Sequence, residues 1–394
     1  MTCIIRLTGP IEEDAMSFTN DILQAISIQA ISIGLVVATL LLNTGRGLKA
    51  IEVCQECLIV LNNGVLTTGG ELFNCFNLLK ICLFVNIFIA YSLMRDHTKA
   101  LLYGRELLEI YRVCGKNDKK GNLTLLMAII CQQQYRYVEA RGLYEKAIKI
   151  MKEMGNRKEE AFANEQLGIT SYYLGDYGTA KEYFEKALAI RVQYGHKERV
   201  ATDYRNLGTV LISLGEYHKA KECFEKGLAI TIQLGDKQGE STSYGNLGTV
   251  FQSLGEYDKA KEYLEKALAI TIQIGDKEGE ATSYGNLGTV FESLGQYDKA
   301  KEYLEKALAI RIQIGDKNGE GISYGNLGGV FTSLGQYDKA KEYLEKALAI
   351  RVQICDREGE AGDYANLGTL CQSADEYVMA EDYIEKALSI TRDI

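Results

Sequence analysis

Along most of this chain, apolar residues recur at spacings of three, four and seven, the period of an amphipathic helix, and the helical segments themselves recur every forty residues. Within residues 281–320, Tyr284, Leu287, Gly288 and Phe291 mark one face of a first helix, A. Gly295 and Tyr297 interrupt the pattern, and Ala300, Leu304, Ala307, Leu308 and Ile310 resume it on a second helix, B, ending near Gly315. Gly315 suits the left-handed conformation that closes a helix, and Asp316 offers a cap to the helix that follows. Each unit is therefore a helical hairpin. Ala100, Ala140, Ala180, Ala220, Ala260, Ala300, Ala340 and Ala380 fall in one register, and Lys-Ala-Lys-Glu-Tyr-Leu-Glu-Lys-Ala-Leu-Ala-Ile stands unchanged at 259–270, 299–310 and 339–350. Such a period predicts an all-α solenoid of antiparallel helix hairpins, each burying its apolar face against its neighbours.

The small residues explain why the period is strict. Gly208, Gly248, Gly288 and Gly328, with Ala260, Ala300 and Ala340, are expected where helices A and B approach, where a larger side chain would overpack the contact. On the outward face of helix B, Lys261–Glu265 and Glu262–Lys266 stand one turn apart and read as a solvated surface.

The register divides the chain into three parts. Residues 1–20 are expected to be poorly ordered. Residues 21–120 read as two degenerate apolar hairpins with an insertion near 62–72 that holds Asn62-Asn63-Gly64 and Thr67-Thr68-Gly69-Gly70. Residues 121–394 read as seven units of forty residues, the last one truncated. The apolar stretch 22–42 is long enough to suggest a membrane span. Aligning Ala50 with Ala300, however, puts Ala38 on Gly288, Gly45 on Gly295 and Cys57 on Ala307, and Gln24, Ser27, Gln29 and Ser32 stripe one side. A buried repeat helix is the favoured reading, and a membrane-anchored protein stays open as an alternative.

Composition narrows the chemistry. With 46% hydrophobic and 25% charged residues the chain is an ordered one, and a net charge of −9, with Glu interleaved among the Lys and Arg, argues against nucleic acid as a partner. Ten scattered cysteines suggest a reducing, cytoplasmic setting. Cys54-x-x-Cys57 occupies positions held elsewhere by Leu304 and Ala307, so core packing is favoured over redox or metal chemistry. His97, His196 and His218 sit in turns or linkers of different hairpins and cannot form one triad. Gly285-x-x-Gly288 lies inside a helix and lacks the lysine of a phosphate loop. No catalytic residue, metal or cofactor is assigned, and an enzyme is not expected.

The Leu-Gly, aromatic and Ala positions of this unit resemble the tetratricopeptide repeat (TPR) family, strongly from about residue 121 onward, and the resemblance implies that the solenoid of hairpins is a right-handed superhelix. The Tyr-Gly-Asn-Leu-Gly stretch and the Gly-Asp-Lys linker look like the forty-residue subclass of LGN/Pins, kinesin light chains and tetratricopeptide repeat protein 28-like proteins. The family's late proline in helix B is absent, with Ile312 in its place.

Asn206, Asn246, Asn286, Asn326 and Asn366 recur once per hairpin, after an isolated Asn86. Asparagine is a weak helix former, so five in mid-helix call for a reason beyond packing; solvent exposure and simple copying of the unit stay open beside a binding role. A row of primary amides, each with one acceptor and two donors, can bond the backbone of an extended peptide whatever its sequence. The resemblance implies that these residues line the concave surface, with Thr209, Thr249, Thr289, Thr369, Gln252, Glu292, Gln372 and the serines 253, 293 and 333 beside them. The surface so composed is polar and nearly neutral, unlike a carboxylate clamp. Arg205 stands beside Asn206, and Arg191, Arg311 and Arg351 share a position on helix B; if they reach the groove they would favour acidic ligands, and a surface salt-bridge role is equally open.

The function expected is a non-enzymatic scaffold or adaptor that binds extended segments of proteins or peptides in the concave groove. A cortical, spindle-orientation or motor-cargo adaptor of the LGN/Pins or kinesin-light-chain type is the alternative that the resemblance implies. The last helix reaches Ile394 without a polar capping helix, which leaves open a fragment of a longer protein or self-association through the end hairpins.

Overall fold

A computed structural model describes residues 28–64 and 70–393, and every regular element among them is an α-helix. The chain forms two compact units, Met1–Ile190 and Arg191–Ile394. The first holds α1 (28–43), α2 (Gly47–Gly64), α3 (Gly70–Leu93), α4 (His97–Val113), α5 (Asn117–Gln133), α6 (Tyr137–Glu153), α7 (Arg157–Tyr173) and most of α8 (Tyr177–Tyr194). The second holds α9 (Lys197–Ser213), α10 (Tyr217–Leu234), α11 (Lys237–Ser253), α12 (Tyr257–Ile274), α13 (Lys277–Ser293), α14 (Tyr297–Ile314), α15 (Lys317–Ser333), α16 (Tyr337–Gln353), α17 (Arg357–Ser373) and α18 (Tyr377–Asp393). Odd-numbered helices are the A members of hairpins and even-numbered ones the B members, so the fold is an all-α solenoid of antiparallel hairpins. Residues 1–27, which include the segment expected to be poorly ordered, and residues 65–69 of the insertion lie outside the described residues.

Local chemistry sets the helix ends. Gly295 takes φ 70° between α13 and α14, its N–H bonding Glu292 O at 2.8 Å, while the Gln296 N–H reaches Phe291 O at 2.8 Å. These bonds satisfy carbonyls that the helix end would otherwise orphan. Arg95, Tyr135, Cys355 and Asp375 adopt the same left-handed conformation without being glycine, with φ of 58–60°. Each such residue costs about 1 kcal/mol. On the other side of the hairpin Asp236, Asp276, Asp316 and Asp356 each accept the N–H of the glycine three residues on, at 2.9 to 3.0 Å, and so start the next A helix.

The core follows the repeat. Leu287, Val290 and Phe291 of α13 and Ala300, Leu304 and Ala307 of α14 are all buried. A Cβ on Gly288 would lie 2.6 Å from Leu304 Cγ and 3.3 Å from the Ala300 carbonyl oxygen, and Gly248 and Gly328 meet Leu264 and Leu344 at the same 2.6 Å. Gly208 meets the Phe224 ring at 2.6 Å instead. Glycine is therefore the residue that lets helix A lie directly on the B-helix leucine.

In the second unit each hairpin packs on the next, and the A helices also touch in series, α9 on α11, α11 on α13, α13 on α15 and α15 on α17. No comparable contact joins successive B helices. The A helices thus line the more closely spaced inner side of this stack, and the B helices its outer side.

The first unit opens on α1, where Ile31 and Ala38 are buried in one core with Ala50, Ile51, Cys54 and Leu61. Ile33, Val36, Val37 and Leu40 of the same helix are exposed. The expected buried helix is buried on one face only, because α1 has a single flanking hairpin among the described residues. No helix among the described residues is long and apolar enough to cross a membrane. Residues 22–27 of the apolar stretch are outside that description.

Candidate functional site

The asparagines fall in mid A helix, one per hairpin. Asn206, Asn246, Asn286 and Asn326 are half-buried and Asn366 is exposed. Asn246 and Asn286 line one cavity of about 400 Å³ with Gln238, Thr242, Glu278 and Thr282. Those six residues follow from helix geometry, since 238, 242 and 246 on α11, and 278, 282 and 286 on α13, step four residues at a time along one face. Gln238 Nε2 donates to Asp276 Oδ2 at 2.8 Å and ties the two hairpins together at one end of the cavity.

What distinguishes the asparagines is that their amides are unspent. None of the five donates or accepts a side-chain hydrogen bond among the described residues. Their hydroxyl neighbours, in contrast, donate inward. Thr209 bonds Arg205 O at 3.1 Å, Thr249 bonds Gly245 O at 3.2 Å, Thr289 bonds Asn286 O at 2.9 Å and Thr369 bonds Ala365 O at 3.0 Å. Ser253 and Ser293 likewise donate to the carbonyls of Thr249 and Thr289. The hydroxyls can still accept, and the asparagine amides keep their donors free. Gln252 Nε2 donates to Thr289 Oγ1 at 3.3 Å across from α11 to α13. Glu292 has no ion-pair partner, and burial pushes its carboxyl above the usual range.

Beside Asn246 and Asn286 the backbone is bare. A Cβ on Gly245 or Gly285 would meet nothing within 4 Å. Mid-helix glycine costs about 1 kcal/mol relative to alanine, and here no neighbouring atom demands it. Arg205 and Ala365 take this place in the hairpins of α9 and α17.

The three arginines of helix B do not serve as groove cations. Arg191 is buried against Asp203 of α9. Arg311 Nη1 pairs with Asp316 Oδ2 at 2.8 Å. Arg351 is buried, with Nη1 at 2.7 Å from Asp356 Oδ2, a hydrogen bond to Asn318 and Nε 3.8 Å from Asp363 Oδ2. These are junction pairs that join one hairpin to the next, and the prospect that they draw acidic ligands into the groove is withdrawn. On the outer face Lys266 meets Glu262 at 2.6 Å and Lys261 meets Glu265 at 3.8 Å, as their spacing implied.

Sequence reading missed two groups of residues. Gln238, Thr242, Glu278 and Thr282 line the cavity, and stepping back four and eight residues from each asparagine would have found them. Glu240, Glu280 and Glu320 are buried and pair with Lys237, Lys277 and Lys317 at 2.7 Å, a tie written in the repeated Asp-Lys-x-Gly-Glu of the linker. Cys54 and Cys57 lie in the core, and burial with the neighbouring Cys57 pushes the Cys54 thiol up to about 12, far from a reactive thiolate. No group of His, Cys, Asp and Glu among the described residues is placed to hold a metal ion.

The profile of the tetratricopeptide repeat family matches residues 159–233, 239–313 and 320–393, more than half of the chain. The chain belongs to the tetratricopeptide repeat family. No curated protein sequence matches it. Among solved structures it is similar to aspartyl phosphate phosphatase F from Bacillus subtilis, at 16% identity over 92% of this chain and 94% of that one, with a TM-score of 0.63. The apo form of the quorum sensor NprR from B. thuringiensis matches at 16% identity over 92% and 99%, with a TM-score of 0.59. A Rap protein complexed with Competence and Sporulation Factor matches at 15% identity over 93% and 98%, with a TM-score of 0.54. Identities this low speak for the fold.

Proposed function

We propose that this chain is a non-enzymatic protein-interaction scaffold whose A-helix face in the second unit holds an extended segment of a partner protein by its main chain. The observation that carries the reading is the set of unspent amides, one per hairpin, at Asn206, Asn246, Asn286, Asn326 and Asn366. Packed helices stand about 8–10 Å apart and an extended chain advances about 3.3 Å per residue, so one amide comes to every third residue or so of a peptide laid across the stack. That spacing suits groups present at every residue, the backbone N–H and C=O, and it makes no demand on side chains. Gly245 and Gly285 leave room for a backbone to approach, and the Thr249 hydroxyl, which donates to Gly245 O, can still accept. The Rap protein solved with Competence and Sporulation Factor is a case of this fold holding a partner.

A neutral hydrogen bond contributes about 0.5–1.5 kcal/mol net. Three amides together should then account for at least a tenfold change in affinity. The test is selection of binders from a displayed library of random peptides about ten residues long, enough to cross three hairpins, followed by titration of the selected peptides. Changing Asn246, Asn286 and Asn326 to Ala should weaken each peptide tenfold or more with the helical circular dichroism unchanged. Equal affinity for the wild type and the triple variant removes the asparagines from the binding device.

A further inference from the structure

We propose that Glu292 selects a basic side chain, lysine or arginine, at one position of the extended segment bound on the A helices. The inference rests on the peptide-binding reading above and adds the chemistry of the ligand. It comes from a double departure inside near-copies. Between α11 and α13, Gln252 Nε2 donates to Thr289 Oγ1 at 3.3 Å and the two side chains satisfy each other. One hairpin later the corresponding pair is Glu292 on α13 and Gly329 on α15. The amide has become a carboxylate and the hydroxyl that would have faced it is gone. A Cβ built on Gly329 would stand 3.5 Å from Glu292 Oε1, which places the carboxylate over bare backbone.

Glu292 is half-buried and has neither a hydrogen bond nor an ion pair among the described residues. The cations that the sequence offered to this face are occupied elsewhere, Arg311 by Asp316 and Arg351 by Asp356. Arg205 stands on α9, two hairpins earlier, outside ion-pair distance. A carboxylate that is partly desolvated and unpaired is unfavourable in the free protein, as its raised titration also indicates. A ligand cation would remove that penalty on binding and gain a charge-assisted hydrogen bond in the space that Gly329 leaves. The cavity near the start of α13 has the same sign, since Asp276 and Glu278 are its charged lining residues and both are acidic.

The same random-peptide selection decides the matter when it is run on the full chain as wild type, Glu292→Gln and Glu292→Lys. Wild-type binders should be enriched in Lys or Arg at one position. Their affinity should fall about tenfold in the Gln variant, which keeps size and polarity, and should fall with added salt for the wild type but not for that variant. The Lys variant should select acidic residues at the same position. Binders that show no basic preference, or a preference that survives Glu292→Gln, overturn the role of Glu292 and leave the groove reading standing. If the wild type selects no peptide at all, the groove reading fails and this inference fails with it.

Discussion

At the scale of single residues the repeat is held by what is missing. Gly288 has no side chain because Leu304 and the Ala300 carbonyl already fill the space a Cβ would need. Introducing leucine there must push helix A off helix B, a form of overpacking that costs about 1–3 kcal/mol. Chemical denaturation should show Gly288→Leu with a lower midpoint and an unaltered slope, and an unchanged midpoint would contradict the close approach. Gly285, three residues away, has open space around it, so alanine there should fit and add helix propensity. Two glycines of one helix thus play opposite parts. Sequence spacing placed Gly288 at the approach of the two helices, but the open space beside Gly285 could be seen only from what the neighbouring helix leaves opposite it.

At the scale of elements, the junction between successive hairpins varies where the hairpins themselves hardly do. Arg191–Asp203 joins α8 to α9, and Arg351–Asp363 joins α16 to α17. In the junctions between, threonines 231 and 271 stand with serines 243 and 283, all buried, and the last of them holds Arg311 with the buried Ser323. Asp363 titrates anomalously. Burial pushes its carboxyl up to about 6 even though Arg351 pulls the other way. Asp363 in an unfolded chain titrates near 4, so between about pH 4 and pH 6 the folded state holds a proton that the unfolded state has lost. The contribution of Asp363 to stability is therefore greatest below that window and declines as pH rises through it, by an amount of order 2 kcal/mol. Denaturation midpoints of the wild type measured against those of Asp363→Asn across pH 3.5–7 should show the wild type losing ground as pH rises. A difference that stays flat with pH would mean that Arg351 keeps the carboxylate ionised throughout.

For the whole molecule, a stack whose hairpins touch only their neighbours draws its stability from nearest-neighbour contacts. Within the second unit α11 to α16 have a hairpin on each side, whereas α18 has its partner α17 on one side alone. In the first unit α1 leaves Ile33, Val36 and Leu40 open to solvent. Hydrogen exchange followed by mass spectrometry should find the slowest amides of the second unit in α12 to α14, with protection falling toward α18, and within the first unit protection falling toward α1. Uniform protection along the chain would indicate a single cooperative unit instead. Outside the buried core the A-helix side chains vary from one hairpin to the next, as Gln252, Glu292 and Thr332 do at one repeat position.

The forty-residue register by itself determined the hairpins, their caps and their core. It works because a helix turns 3.6 residues at a time, so spacing alone assigns Leu287, Phe291, Leu304 and Ala307 to an inward face. It also picked out Asn246 and Asn286 as anomalies of helix propensity, and the tertiary structure then showed that both line one cavity and that their amides are unspent. Only the tertiary structure could dispose of the arginines, since whether Arg351 reaches solvent or Asp363 depends on how one hairpin is set against the next. It alone brought Glu292 over Gly329, thirty-seven residues further along the chain. The physical reason is common to both: periodicity records which way a side chain leaves its own helix, and the partner it meets belongs to another.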